Sequence, residues 1–205
     1  MPPVCPPVVL KIGGSLHDCA GEICSHLLDL GLPVLVVPGG GAFADLVREC
    51  PVNGSAAHWM AIAAMEQYGW YLSSFGLPAT TALDIPDRPE VLLPYCLLRA
   101  KDPLPHRWEV TSDTIAAWCA HTLRLPLVLL KSVDGIRSGG RLCPSIGSPV
   151  VTDDVDPCFL PFVLARQVPA LVVSGRHPDR IKAALTGVST IGTTIGFFSV
   201  SEENI

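Results

Sequence analysis

Six short, continuous apolar runs punctuate this chain: Val8–Ile12, Val34–Val37, Val91–Leu98, Leu127–Lys131, Ala170–Val173 and Thr194–Val200. Between most of them lie stretches of helical length and pattern, at Asp18–Leu30, Ala42–Glu49, Ala56–Phe75, Ser112–Leu123 and Pro178–Leu185. A strand that is apolar on both faces has to be covered on both faces, and strands alternating with helices supply that cover. The expected fold is therefore α/β: an open, mostly parallel sheet sandwiched by helices in three layers. Prolines flank the runs (Leu32-Pro33-Val34, Leu125-Pro126-Leu127, Val168-Pro169-Ala170) and mark loop entries into strands rather than a linker. Residues 135–158, rich in Gly, Pro, Ser and Asp, read as a mobile excursion from the sheet.

The 205 residues suffice for a single domain with a real core. Apolar residues make up 49% and charged residues only 16%, against a usual ~25%, which excludes intrinsic disorder and suggests buried contacts in a homo-oligomer. A net charge of −5 without a basic run argues against nucleic acid as partner. No apolar run approaches the ~20 residues that span a bilayer, and Met1–Pro7 lacks a basic n-region, so the expectation is a cytoplasmic protein without membrane contact. The eight cysteines show no Cys-x-x-Cys spacing, which leaves small buried thiols as their simplest role and no metal site of their own.

In open parallel sheets ligands bind beyond the carboxyl ends of the strands. Here those exits are rich in glycine. The first reads Lys11-Ile12-Gly13-Gly14-Ser15, in which a lysine ends a buried strand and the backbone beyond it can approach an anion. The second reads Pro38-Gly39-Gly40-Gly41-Ala42, and the third Lys131-Ser132-Val133-Asp134-Gly135-Ile136. Gly39–Ala44 matches the dinucleotide pattern G-x-G-x-x-A, but the region that should hold the next strand, residues 56–65, is helical in pattern. Three glycine-bearing exits, two with lysines, fit a site that holds a polyphosphate from several sides, as phosphoryl transfer requires.

Taken together, Lys11–Ser15, Pro38–Gly41, Thr111-Ser112-Asp113-Thr114, Ser132–Ile136 and Ile191-Gly192-Thr193-Thr194-Ile195 resemble the amino acid kinase superfamily in order and spacing, from residue 8 to about 198. Finer features, Ala57-His58-Trp59-Met60, Leu104–Asp113 and Val155–Pro161, resemble the branch of methanofuran biosynthesis that phosphorylates [5-(aminomethyl)furan-3-yl]methyl phosphate. The resemblance implies ATP with Mg²⁺ and a small phosphate acceptor. It implies an acceptor-binding lobe over about 1–125 and a nucleotide-binding lobe over 126–205. Lys11 would bridge the nucleotide phosphates and Asp113 would hold Lys11. Gly13, Gly14 and Ser15 would donate to the nucleotide, and Gly39, Gly40 and Gly41 would cradle the acceptor phosphate. His58, Trp59, Thr111 and Ser112 would line the acceptor site; core packing is the competing reading for His58 and Trp59. Ser132, Val133, Asp134, Gly135, Ile136 and Arg176 would surround ADP. One departure stands out: relatives carry a late Gly-Gly-Met-x-x-Lys lysine, whereas here Asp156–Phe162 has none. Lys131 is the expected substitute, with Arg176 the other candidate. Another small-molecule kinase of the fold, acting on isopentenyl phosphate, UMP or an amino acid, stays open. So does a non-catalytic storage or sensor protein.

Overall fold

The computed structural model describes residues 5–196. Its main sheet has eight strands in the order β3-β4-β2-β1-β5-β9-β10-β8. The centre is made by β1 (Val8–Ile12), β2 (Val34–Pro38), β5 (Leu127–Lys131) and β9 (Ala170–Ser174), all mutually parallel. On one flank come β4 (Glu90–Leu92) and β3 (Ala79–Thr80), also parallel. On the other, β10 (Thr193–Ile195) runs antiparallel to β9 and parallel to β8 (Ser145–Ile146).

Side chains alternate across the strands and feed two cores. On one face Val9, Leu35, Val37, Leu129 and Val172 pack under α5 (Ser112–Leu123) and α6 (Phe159–Ala165). On the other, Leu10, Ile12, Val36, Leu130 and Val173 pack under α1 (Ala20–Leu30) and α7 (Pro178–Thr186). Each fully buried Leu, Ile or Val contributes roughly 1.5–3 kcal/mol of transfer free energy, which holds the three layers together. Helix α3 (Gly54–Ser73) is apolar on all sides because it serves both cores, with Ile62 and Met65 in one and Tyr68 and Leu72 in the other. Gly31, at φ 60°, closes α1 in the left-handed conformation that glycine adopts without strain.

Two expectations change. The run Val91–Leu98 is not one strand: β4 ends at Leu92, and α4 (Tyr95–Lys101) starts after Pro94. Proline cannot donate to a sheet ladder and suits a helix start, so it divides the run. Segment 135–158 forms a hairpin of β6 (Arg137–Ser138) and β7 (Arg141–Leu142), then β8, which docks on β10. Helix α6 follows, in a stretch without a sequence signal strong enough to announce it. Of the last expected strand, Thr194–Val200, residues 197–200 lie outside the described residues. Among the described residues no helix is long and apolar enough to cross a membrane.

Candidate active site

The chain leaves β1 for β2 on one side, and β5 returns on the other, so β1 and β5 flank the point where strand order reverses. The loops beyond such a pair diverge and leave a crevice. Lys11 shares the sheet face of Val9, and Lys131 that of Leu129, so both side chains turn toward α5. There they meet Asp113, in the first turn of that helix. Lys11 Nζ stands 2.8 Å from Asp113 Oδ1, and Lys131 Nζ stands 2.6 Å from Oδ2.

All three side chains are largely withdrawn from solvent: 5% exposed for Lys11, 3% for Asp113 and 15% for Lys131. Burial alone would raise the Asp113 carboxyl pKa, but the two lysines outweigh it and hold it at about 2. Burial pushes the Lys11 ammonium pKa down, against the pull of Asp113 and with the repulsion of Lys131. The cluster carries two cations on one carboxylate. Two lysine ammonium groups converging where water is scarce suit a polyphosphate.

A second aspartate, which no sequence reading singled out, fixes the geometry. Asp156 Oδ2 accepts hydrogen bonds from Thr111 N (3.1 Å), Thr111 Oγ1 (2.8 Å) and Thr114 N (3.0 Å). Its Oδ1 accepts from Thr114 Oγ1 (2.5 Å) and Cys158 N (3.1 Å). It thus satisfies backbone donors that every helix start leaves open, and it clamps the turn that carries Asp113. The Asp156 amide also donates to Asp113 Oδ2 at 3.2 Å. The segment that lacks the late lysine therefore supplies a buried carboxylate to the same site. Burial raises the pKa of Asp156, with the hydrogen bonds of Thr114 and Thr111 opposing that rise.

The first two glycine turns touch backbone to backbone. A Cβ on Gly14 would stand 2.3 Å from both Gly41 Cα and Gly41 N, and one on Gly39 would stand 2.7 Å from Gly14 N. A Cβ on Gly13 would lie 3.1 Å from Leu130 O and 3.4 Å from Lys11 Nζ, so the turn covers the lysine closely. Gly14→Ala is accordingly expected to cost about 1–3 kcal/mol, the usual toll of overpacking, with loss of ligand binding. Thermal unfolding with and without nucleotide checks this; an unchanged midpoint with intact binding would contradict the contact.

Beyond these turns opens a cleft of about 500 Å³. Gly14, Ser15, Gly40 and Gly41 form its inner end, where α2 (Gly41–Glu49) begins, while Thr111 and Ser112 edge it at the start of α5. His58 lies in its wall, with Ala61, Ile62 and Met65 of the same helix. Trp59 does not line it. That ring packs against the core with the Arg99 guanidinium 4.7 Å from its centroid, and Trp108, Arg107 and Arg48 stand at the cleft instead. The placement of Trp59 is that of its competing, core-packing reading; on a helix apolar all round, sequence does not reveal which aromatic faces out.

Across the sheet, Ser132, Val133, Asp134 and Gly135 line a smaller hollow of about 230 Å³ with Arg137 and Leu142, beneath which the Ile136 amide donates to Thr193 Oγ1 at 2.8 Å. Arg176 is exposed and pairs with Asp18 at 2.8 and 3.2 Å, near the Ser15 carbonyl. It does not reach Asp113, whereas Lys131 does.

A doubly covered parallel sheet whose switch point holds two lysines on one aspartate, behind paired glycine turns, defines a small-molecule kinase. No family model matches the sequence. A [5-(aminomethyl)furan-3-yl]methyl phosphate kinase of Methanocaldococcus jannaschii is 30% identical over 208 aligned residues, covering 91% of this chain and 96% of that protein. The structure is similar to uridylate kinase from Archaeoglobus fulgidus (TM-score 0.64, 20% identity, 93% and 100% of the two chains). It is similar to UMP kinase from Ureaplasma parvum (0.68, 16%, 93% and 99%) and to an isopentenyl phosphate kinase (0.59, 16%, 92% and 99%). The chain belongs to the amino acid kinase family and is a phosphotransferase with the open α/β fold expected of it.

Proposed function

We propose that the protein transfers the γ-phosphoryl group of ATP to the phosphate of [5-(aminomethyl)furan-3-yl]methyl phosphate, giving the diphosphate and ADP, as a step of methanofuran biosynthesis. The observation that carries this reading is the Lys11–Asp113–Lys131 cluster, next in sequence to the glycine turn and helix start (Gly14, Ser15, Thr111, Ser112) that line the cleft; the name of the relative aligned over nearly the whole chain supports the choice of acceptor.

In this reading an oxygen of the acceptor phosphate attacks the γ-phosphorus as the bond to the β–γ bridging oxygen breaks. Charge builds on that bridging oxygen and on the transferring group, and Lys11 and Lys131 would offset it. A phosphate monoester with a second pKa near ~6 is already largely deprotonated at neutral pH, so no strong base is needed. Asp113, held at about 2, is a poor base and a good organiser, since it keeps both ammonium groups in place. Gly13, Gly14 and Ser15 would donate to the nucleotide phosphates, and Gly39, Gly40 and Gly41, with the start of α2, would hold the acceptor phosphate beside Thr111 and Ser112. The hollow at 132–137 and Arg176 would take the rest of ADP, which keeps residues 1–125 mainly for the acceptor and 126–205 for the nucleotide. Mg²⁺ would travel on the nucleotide phosphates: Asp113 is taken up by two lysines, and among the described residues the one grouping of three potential ligands is His58, Asp102 and His106, on the cleft side.

A coupled ADP-release screen tests the proposal. The furan phosphate should give a kcat/KM at least tenfold above UMP, isopentenyl phosphate and acetylglutamate. Preference for one of the other three would transfer the assignment to that acceptor class. Binding of ATP without turnover of any acceptor would favour a storage or sensor role.

A further inference from the structure

His58 lines the wall of the acceptor cleft, and His106, stacked against it, is held at both ends. Among the described residues, His58 has no hydrogen-bond partner on its ring. What orients it is a face-to-face stack on His106, with ring centroids 4.2 Å apart and planes 18° from parallel. His106 is anchored on two sides. Its Nε2 lies 2.7 Å from Asp102 Oδ1, at the end of α4, and its Nδ1 lies 2.7 Å from Ser55 Oγ, in the first turn of α3. Trp59 completes the enclosure, meeting both rings edge-on at 4.8 and 5.0 Å.

We infer that His106 is a positioning residue for acceptor binding: Asp102 and Ser55 fix its ring, and the fixed ring in turn sets the plane in which His58 presents its nitrogens to the cleft. The inference rests on the acceptor reading of the cleft given above. The chemistry follows from the donors. An imidazole points its N–H and lone pair in the ring plane, so a ring free to turn about its side-chain bonds has to be ordered when an anion arrives, at a cost in side-chain entropy. A flat partner held at two points removes that cost in advance. Burial, followed by the neighbouring His106, lowers the His58 pKa, while Asp102 opposes this; an anionic acceptor group would reverse the balance on arrival.

A metal site is the competing explanation, because ligand atoms of His58, Asp102 and His106 lie within 4.8 Å of one another. The stack speaks against it. Two nearly parallel rings cannot both direct in-plane lone pairs at one ion lying between their planes, and His106 already engages both of its nitrogens.

The test is a double-mutant cycle of H58A and H106A on the full chain, using the acceptor that the screen identifies. H106A should raise the acceptor KM about three- to tenfold, with the loss confined to that constant rather than to kcat or the KM for ATP. H106F, which returns a flat ring but neither of its two anchors, should recover only part of the loss. In the H58A background, H106A should add less than twofold, because a residue acting through His58 has nothing left to act on. An additive effect, or an H106A enzyme with an unaltered acceptor KM, overturns the inference while leaving the kinase reading intact. A second readout needs no turnover: the His58 imidazole Cε1–Hε1 NMR signal, identified by its loss in H58A, should lie upfield from the stacked ring and move downfield in H106A. A signal that stays in place overturns the inference even where no acceptor is turned over. So does tight Zn²⁺ binding by the wild type that both single variants abolish.

Discussion

Lys11→Met should lower the rate of ADP formation on the order of 10³-fold, the scale seen when one preorganised donor is removed from a developing charge. The same change should barely touch the fold. Methionine fills nearly the same space in an apolar surrounding, and Asp113 keeps Lys131 at 2.6 Å, so no carboxylate is left buried and bare. Steady-state kinetics with thermal unfolding in parallel separate the two effects. Turnover close to that of the wild type would remove Lys11 from the reaction. A collapse of the unfolding midpoint would show that its charge is needed for folding first.

The opposite split is expected at Asp156. Asp156→Ala strips acceptors from two backbone amides and two hydroxyls of Thr111 and Thr114, and from the Cys158 amide. Buried donors left unpaired each cost about 1–3 kcal/mol, and relaxation or entering water recovers part of the sum. The net loss should be about 3–5 kcal/mol, or roughly 10 °C in unfolding temperature for a chain of this size. Activity should fall as well, because the turn that loosens is the one carrying Asp113. Asp156→Asn keeps one acceptor oxygen and should fall between. A midpoint within about 2 °C of wild type for the alanine variant would contradict the clamp.

How much of this was legible in the sequence depended on how far each signal was local. The strands β1, β2, β5 and β9 were readable because continuous apolar runs bounded by proline or glycine have few other uses in a chain that also carries helices. The two-residue strands β3 and β8 were not, since strands that short carry no period. At 91–98 the pattern misled: apolar residues of a short buried strand and of a short buried helix look alike, and only Pro94 marked the division. In the site, Lys11, Asp113 and Lys131 could be proposed one by one, but their meeting on one sheet face depended on the parallel register of β1 and β5. Asp156 was hidden because its partners are 42 and 45 residues away. The signal was there in part: Thr111 and Thr114 leave helix-start donors that a distant acid can satisfy. Trp59 could not be oriented, because α3 has no polar side by which to place it.

Lys131 ends a strand paired residue by residue with β9, up to Ser174, and with β1 through Leu130. A cation set by such a ladder does not wait for a signal. With its ammonium 2.6 Å from Asp113, Lys131 stands in place before any substrate arrives, so the charge is set from the moment the chain folds. Restraint against spending ATP on water then falls to the other half of the site, to how completely the acceptor fills the cleft and shuts solvent out. The yield of product per nucleotide consumed, rather than the rate, is the quantity in which that design would show.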